Sequence, residues 1–122
     1  MSWLLTGDAE PVLAEAIVAH LAGDFLLQND FLAKGKKERS WICLIHVLIW
    51  GMCLLLLTKM SIEQVAAVTI LHFLQDRWSF IAWYMRKMHQ DAFAKPPLGP
   101  WSIIVVDQVF HLLTIMLAIR FI

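Results

Sequence analysis

The chain has 122 residues, 60% of them hydrophobic and only 16% charged, with six Trp, a mean hydropathy of +0.67 and a net charge of zero. A soluble domain averages about 45–50% apolar and about 25% charged residues, and one small domain has too much surface to hide such an excess from water. This excludes an ordinary soluble globule and a disordered chain. The lack of net basic charge also excludes a nucleic-acid binder, which leaves a lipid bilayer as the natural partner.

The length allows a single domain over residues 1–122. Residues 1–10 carry Asp8 and Glu10 and no Lys or Arg, so they lack the basic start of a cleaved signal peptide. A membrane-spanning helix needs about 20 mostly apolar residues. The first expected span covers residues 11–33, opened by Pro11 in a position that suits a first helical turn. The second, 41–58, contains no Asp, Glu, Lys or Arg. The third, 62–84, is opened by Ser61 as an N-cap, with Glu63 and Gln64 in its first turn. The fourth covers 101–121. Between them lie GKKERS, a short Lys59–Met60 turn, and HQDAFAKPPLGP, whose Pro and Gly residues cannot continue a helix. The expected fold is all-α, a four-span transmembrane helix bundle. Cys43 and Cys53 both fall in apolar runs and are too few for a disulfide framework; each reads as a small buried hydrophobe.

Lys and Arg in short loops set orientation. The loop between the first two spans carries Lys34, Lys36, Lys37 and Arg39, and the loop between the last two carries Arg86, Lys87 and Lys95. The opposite side has Lys59 and Arg120. This asymmetry places both charged loops in the cytoplasm and both termini outside an inner (cytoplasmic) membrane. Trp41, Trp83, Tyr84 and Trp101 then gather at the cytoplasmic interface, where amphipathic rings prefer to sit.

Ionisable residues inside spans are expensive, about 2.5–3.5 kcal/mol each at the membrane centre, and are usually functional. Here they form a pattern. The first span carries His20 and Asp24, the third His72 and Asp76, and the fourth Asp107 and His111, each pair four residues apart and so on one helix face. The order reverses in the helix that runs the other way, which brings the three His to one depth and the three Asp one turn closer to the charged loops. The second span adds His46 near the Asp level. Gln28 continues the first stripe. Independent scatter does not produce one polar layer.

Interhelical hydrogen bonding alone is one account of such a layer. A metal centre is the stronger one, because neighbouring buried carboxylates repel unless a cation lies between them. Imidazole and carboxylate donors suit Zn, Mn or Fe, and His20, Asp24, His46, His72, Asp76, Asp107 and His111 are enough for one or two divalent ions. His46 is then a ligand or a general base. Arg77, about 100° around the helix from Asp76, either stabilises negative charge on a substrate or pairs with a carboxylate such as Asp107. Ala19 and Gly23 form a small-xxx-small pair that admits a neighbouring helix. His89 reads as a solvated loop residue. The Lys34 to Arg39 cluster reads as a topology signal and headgroup contact.

The elements HLAGDFLLQ, a Lys-rich turn, a second-span His, HFLQD and DQVFH together resemble a family of small bacterial and phage membrane proteins known as domain of unknown function 3307. The resemblance runs from His20 to His111 and covers His20, Asp24, Phe25, Gln28, a Lys among Lys34, Lys36 and Lys37, His46, His72, Asp76, Asp107, Gln108 and His111. Where that family tends to carry Lys three residues after the third-span Asp, this chain has Ser79, with Arg77 the nearby cation. A looser similarity of His and Asp placement links it to inner-membrane metal-dependent hydrolases. Together these lead to an expected metal-dependent hydrolase acting on a lipid or lipid-linked substrate. Proton or divalent-cation transport through the same layer, within a homo-oligomer, is the alternative. A further alternative is a structural or regulatory phage or bacterial protein that binds a membrane partner.

Overall fold

The computed structural model describes residues 9–122. They form seven helices: α1 (Ala9–Leu21), continued by a π-helical turn over Ala22–Leu26, then α2 (Asp30–Glu38), α3 (Ser40–Leu57), α4 (Ile62–Arg77), α5 (Ile81–Lys87), α6 (Asp91–Ala94) and α7 (Trp101–Phe121). No strand occurs among the described residues. The fold is all-α.

Four helices surround a common axis. α3 packs between α1 and α4, α7 closes the ring against α1 and α4, and α2 lies across α3 and α4 at one end. The uninterrupted apolar runs behave as their composition dictates: α3 and α7 match the spans expected at 41–58 and 101–121 almost residue for residue. Both are long and apolar enough to cross a membrane; a third crossing is available if the bent pair Pro11–Leu26 and Asp30–Glu38 counts as one span.

The other two expected spans are shorter than the sequence implied. The segment 11–33 does not continue straight, because the chain bends by 95° between the π turn and α2. The cause is local: Leu27 N–H closes the π turn on Ala22 O, and Asn29 then caps a new helix, its side chain accepting from Leu32 N–H at 2.9 Å. The segment 62–84 likewise ends at Arg77 and restarts at Ile81. Ser61 does cap α4, in a reciprocal box with Gln64. Sixteen helical residues in α4 span about 24 Å, against about 30 Å of bilayer hydrocarbon.

The apolar core occupies the end of the bundle away from α2, where Ala16, Ala19, Cys53, Leu54, Val68, Ile115 and Ala118 pack together. Close helix approach depends on glycine. A Cβ at Gly23 would stand 2.7 Å from Trp50 Cδ1, and one at Gly35 would stand 2.6 Å from Ile42 Cδ1. The outer surface stays apolar: Leu48, Leu56, Ile62, Ile70, Val109 and Phe121 are all exposed. Trp41, Trp78, Trp83 and Trp101 are exposed toward the α2 end. A continuous apolar exterior of this kind marks a membrane or partner surface rather than one facing water.

Candidate metal centre

Each of the four ring helices contributes to one polar cluster just beyond the apolar core. His20 stands in the last turn of α1 and Asp24 in the π turn; α3 supplies His46, α4 supplies His72 and Asp76, and α7 supplies Asp107 and His111. All are buried except Asp107, whose side chain is 17% exposed. The ring order makes α1 and α4 diagonal, and Asp24 and Asp76 still reach the same two imidazoles across the axis. The π turn matters here, because an extra residue in the turn changes the angle at which Asp24 leaves its helix.

The tightest constellation has four donor atoms. His46 Nε2 lies 3.1 Å from Asp24 Oδ1 and 3.0 Å from Asp76 Oδ2. His72 Nε2 lies 3.2 Å from Asp24 Oδ1 and 3.0 Å from Asp76 Oδ2, and the two Nε2 atoms are 3.3 Å apart. A tetrahedral ion with ligands at about 2.0–2.1 Å separates them from one another by about 3.3–3.4 Å. Asp24 Oδ1 is buried and makes no hydrogen bond despite its two imidazole neighbours. Four potential ligand atoms crowded to this spacing, one of them a buried carboxylate oxygen without a hydrogen bond, fit a cation.

A second constellation shares a residue with the first. His111 Nε2 lies 3.4 Å from Asp76 Oδ1 and 3.7 Å from Asp107 Oδ1. Neither ring nitrogen of His111, nor Asp76 Oδ1, has a hydrogen-bond partner. The two oxygens of Asp76 therefore face different donor sets. Within each of three groupings, His20/Asp24/His72/His111, Asp24/His46/His72/Asp76 and Asp76/Asp107/His111, the donor atoms lie within 4.8 Å of one another.

His20 sits differently. Trp50 Nε1–H donates to its Nδ1 at 3.0 Å, which leaves the proton on Nε2 to be donated to Gln108 Oε1 at 2.6 Å. The Gln108 amide then donates to Asp24 Oδ2 at 3.3 Å. The chain Trp50, His20, Gln108, Asp24 thus uses both ring nitrogens of His20 in holding a carboxylate. Trp50 also stacks on His72, with centroids 4.0 Å apart and rings 4° from parallel.

Trp50, four residues beyond His46 in an uninterrupted apolar run, carries no signal in the sequence that sets it apart as a partner of the cluster. Lys36, assigned there to topology and headgroup contact, is instead buried, and its ammonium donates to Asp76 Oδ2 at 3.1 Å. Three carboxylates, Asp24, Asp76 and Asp107, thus share the cluster with a single ammonium.

Arg77 does not join these groups. Its guanidinium donates to Lys37 O at 2.9 Å, Glu38 O at 3.3 Å and Ser40 Oγ at 3.1 Å. It caps the orphan carbonyls at the end of α2 and pins that helix to α4. Gln28 donates to the Asp24 carbonyl at 3.0 Å. Cys43 Sγ–H faces Phe73 O at 3.7 Å and Cys53 lies in the apolar core, so neither thiol belongs to the three donor groupings. His89 is exposed between α5 and α6.

A cavity of about 230 Å³ opens beside the cluster at the α2 end, lined by Asp24 and Asp107 on one side and by Lys36 and Lys37 on another. No curated protein and no solved structure matches the chain. The family model described as "Protein of unknown function (DUF3307)" matches residues 12–122, and the chain belongs to that family.

Proposed function

We propose that the chain is a single-domain, polytopic membrane protein whose His/Asp cluster is a divalent-metal centre, and that it works as a metal-dependent hydrolase on a lipid or lipid-linked substrate. The observation that carries this reading is the set of five donor separations of 3.0–3.3 Å among His46, His72, Asp24 and Asp76. Two nitrogens and two oxygens at near-tetrahedral spacing favour zinc over Mn or Fe. Such a four-donor set is of the closed kind. The set formed by Asp76 Oδ1, Asp107 and His111 has three donors, of which Asp107 lines the cavity, and a three-donor set leaves a coordination position for water or substrate. A bound cation there supplies Lewis acidity and water activation at neutral pH.

The chain's own residues divide the remaining work. Asp76 links the two donor sets, Lys36 fixes its orientation, and Trp50, His20 and Gln108 orient Asp24. His20 is then a positioning residue rather than a ligand. Lys37 on the cavity wall attracts an anionic group. In this reading α1, α3, α4 and α7 all cross the inner membrane, the α2 and α5 segments lie in its cytoplasmic face, and both termini are outside. The Lys and Arg asymmetry and the exposed Trp residues at the α2 end support that orientation.

Metal analysis of the detergent-purified protein tests the proposal. At least one zinc-class ion per chain is expected, with a fall in thermal stability on chelation. His72→Ala should lose the ion outright, while His20→Gln should retain it with affinity weakened about 10–100-fold. Metal-free protein whose melting temperature a chelator leaves unchanged overturns the reading.

A further inference from the structure

The cavity beside the metal centre is not isolated. A second, wholly apolar groove of about 450 Å³ runs along the outside of the bundle between the end of α1 and α7, lined by Leu21, Phe25, Trp101, Val105, Val109 and Leu112. Most of its lining is exposed: Phe25, Val105 and Val109 are each 49% accessible and Trp101 68%. Cavity and groove share Phe25, Ile104 and Gln108 in their linings, so the two lie side by side.

The two halves have opposite chemistry. The groove lining offers no charge. The cavity has apolar walls at Phe25, Ile81 and Ile103, but also carries Lys36 and Lys37 and ends on carboxylates that belong to the cation cluster. At about 230 Å³ it is smaller than a typical drug-sized pocket of about 300–1,000 Å³. That is room for a compact headgroup and not for a whole lipid. From Trp101 to Leu112 the groove follows α7 for about 16 Å.

We propose that this cavity and groove form one lateral binding site for a lipid with a compact anionic phosphate head: the phosphate enters the Lys36/Lys37 cavity and one acyl chain lies in the α1/α7 groove. The inference rests on the proposed metal centre and names its substrate class. Charge complementarity argues for the head: Lys36 is held by Asp76, but Lys37 lines the cavity, and a cation bound at Asp24 and Asp107 would offset the carboxylates that also line it. The shared lining argues for the chain, since a ligand whose head sits in the cavity has an apolar groove beside it at Phe25 and Ile104.

A lysophosphatidate with a diazirine in its acyl chain, photolysed in the presence of the metal-loaded protein in nanodiscs, tests the site. Label is expected on peptides covering residues 21–25 and 101–112. Val105→Trp and Val109→Trp, which fill the groove without touching the cluster, should each lower labelling about tenfold with metal content unchanged. Excess lysophosphatidylcholine should compete poorly against the wild-type chain, and Lys37→Glu should erase that headgroup preference. Uniform labelling of the apolar exterior, equal competition by the choline lipid, or insensitivity to both Trp variants overturns the proposal. Metal content is read on the same samples. Groove-specific labelling of a metal-free chain would defeat the metal centre and leave the lipid site standing, whereas a metal-loaded chain with no groove label defeats the lipid site alone.

Discussion

On one side of Trp50, Ala16, Ala19, Leu54, Val68 and Ile115 pack without a charged side chain. On the other, Asp24, His46, His72, Asp76 and His111 crowd into a volume where no donor atom is far from a carboxylate. The two ends use the same four helices and the same close spacing, yet they are held by different forces. The first end is held by dense packing, helped by small residues such as Ala19 and Gly23 that let the helices approach closely. The second end gathers three carboxylates among four imidazoles and the Lys36 ammonium. The apolar end acts as a clamp that holds the ionisable side chains of the other close together. Trp50 belongs to both, stacking on His72 and donating to His20 from the edge of the apolar core.

If the ends are separable in this way, damage to the apolar end should cost stability and spare the metal. Leu54→Ala leaves a cavity in the core and is expected to destabilise by about 3 kcal/mol. Metal stoichiometry per folded chain should not change; a parallel loss of metal would show that the clamp and the centre are one cooperative unit. Trp50→Phe probes the boundary. The ring can still stack on His72, but His20 Nδ1 loses its donor and becomes a buried acceptor without a partner, a cost of about 1–3 kcal/mol. Because His20 steers Asp24 through Gln108, metal affinity should fall about tenfold, measurable by competition with a chromophoric chelator. Unchanged affinity would sever the relay from the centre. The smallest effect is expected at Arg77→Gln, which frees three hydrogen bonds at the α2 terminus and should cost about 1 kcal/mol with full metal occupancy. Loss of metal in that variant would restore Arg77 to the site.

Legibility in the sequence varied from helix to helix for identifiable reasons. α3 and α7 were readable to within a residue or two because nothing interrupts their apolar runs. The break after Leu26 is signalled by Gln28, Asn29 and Asp30, a polar triplet with a good N-cap, Asn29, at its centre, but an apolar window over 11–33 averages across it. The end of α4 was hidden in the same way by Trp78, Phe80 and Ile81. The reversed His/Asp spacing in the last span was the most informative feature, because period and direction together fix depth. The partners of that layer were not readable. Lys36 looked like one more loop cation, and only the 95° bend of α2 carries it into the cluster. Arg77, adjacent in sequence to Asp76, points away from the centre because the helix turns by about 100° per residue.

Composition and periodicity determined what this chain could not avoid: an apolar exterior, all-α structure, and imidazoles and carboxylates confined to one layer, since each follows from side-chain transfer energies and helix geometry along a single segment. The tertiary structure alone decided which donors share an ion-sized space. That depends on the rotation of each helix about its own axis, on a π turn one residue out of register, and on Gly23 admitting Trp50, none of which is a property of any one segment.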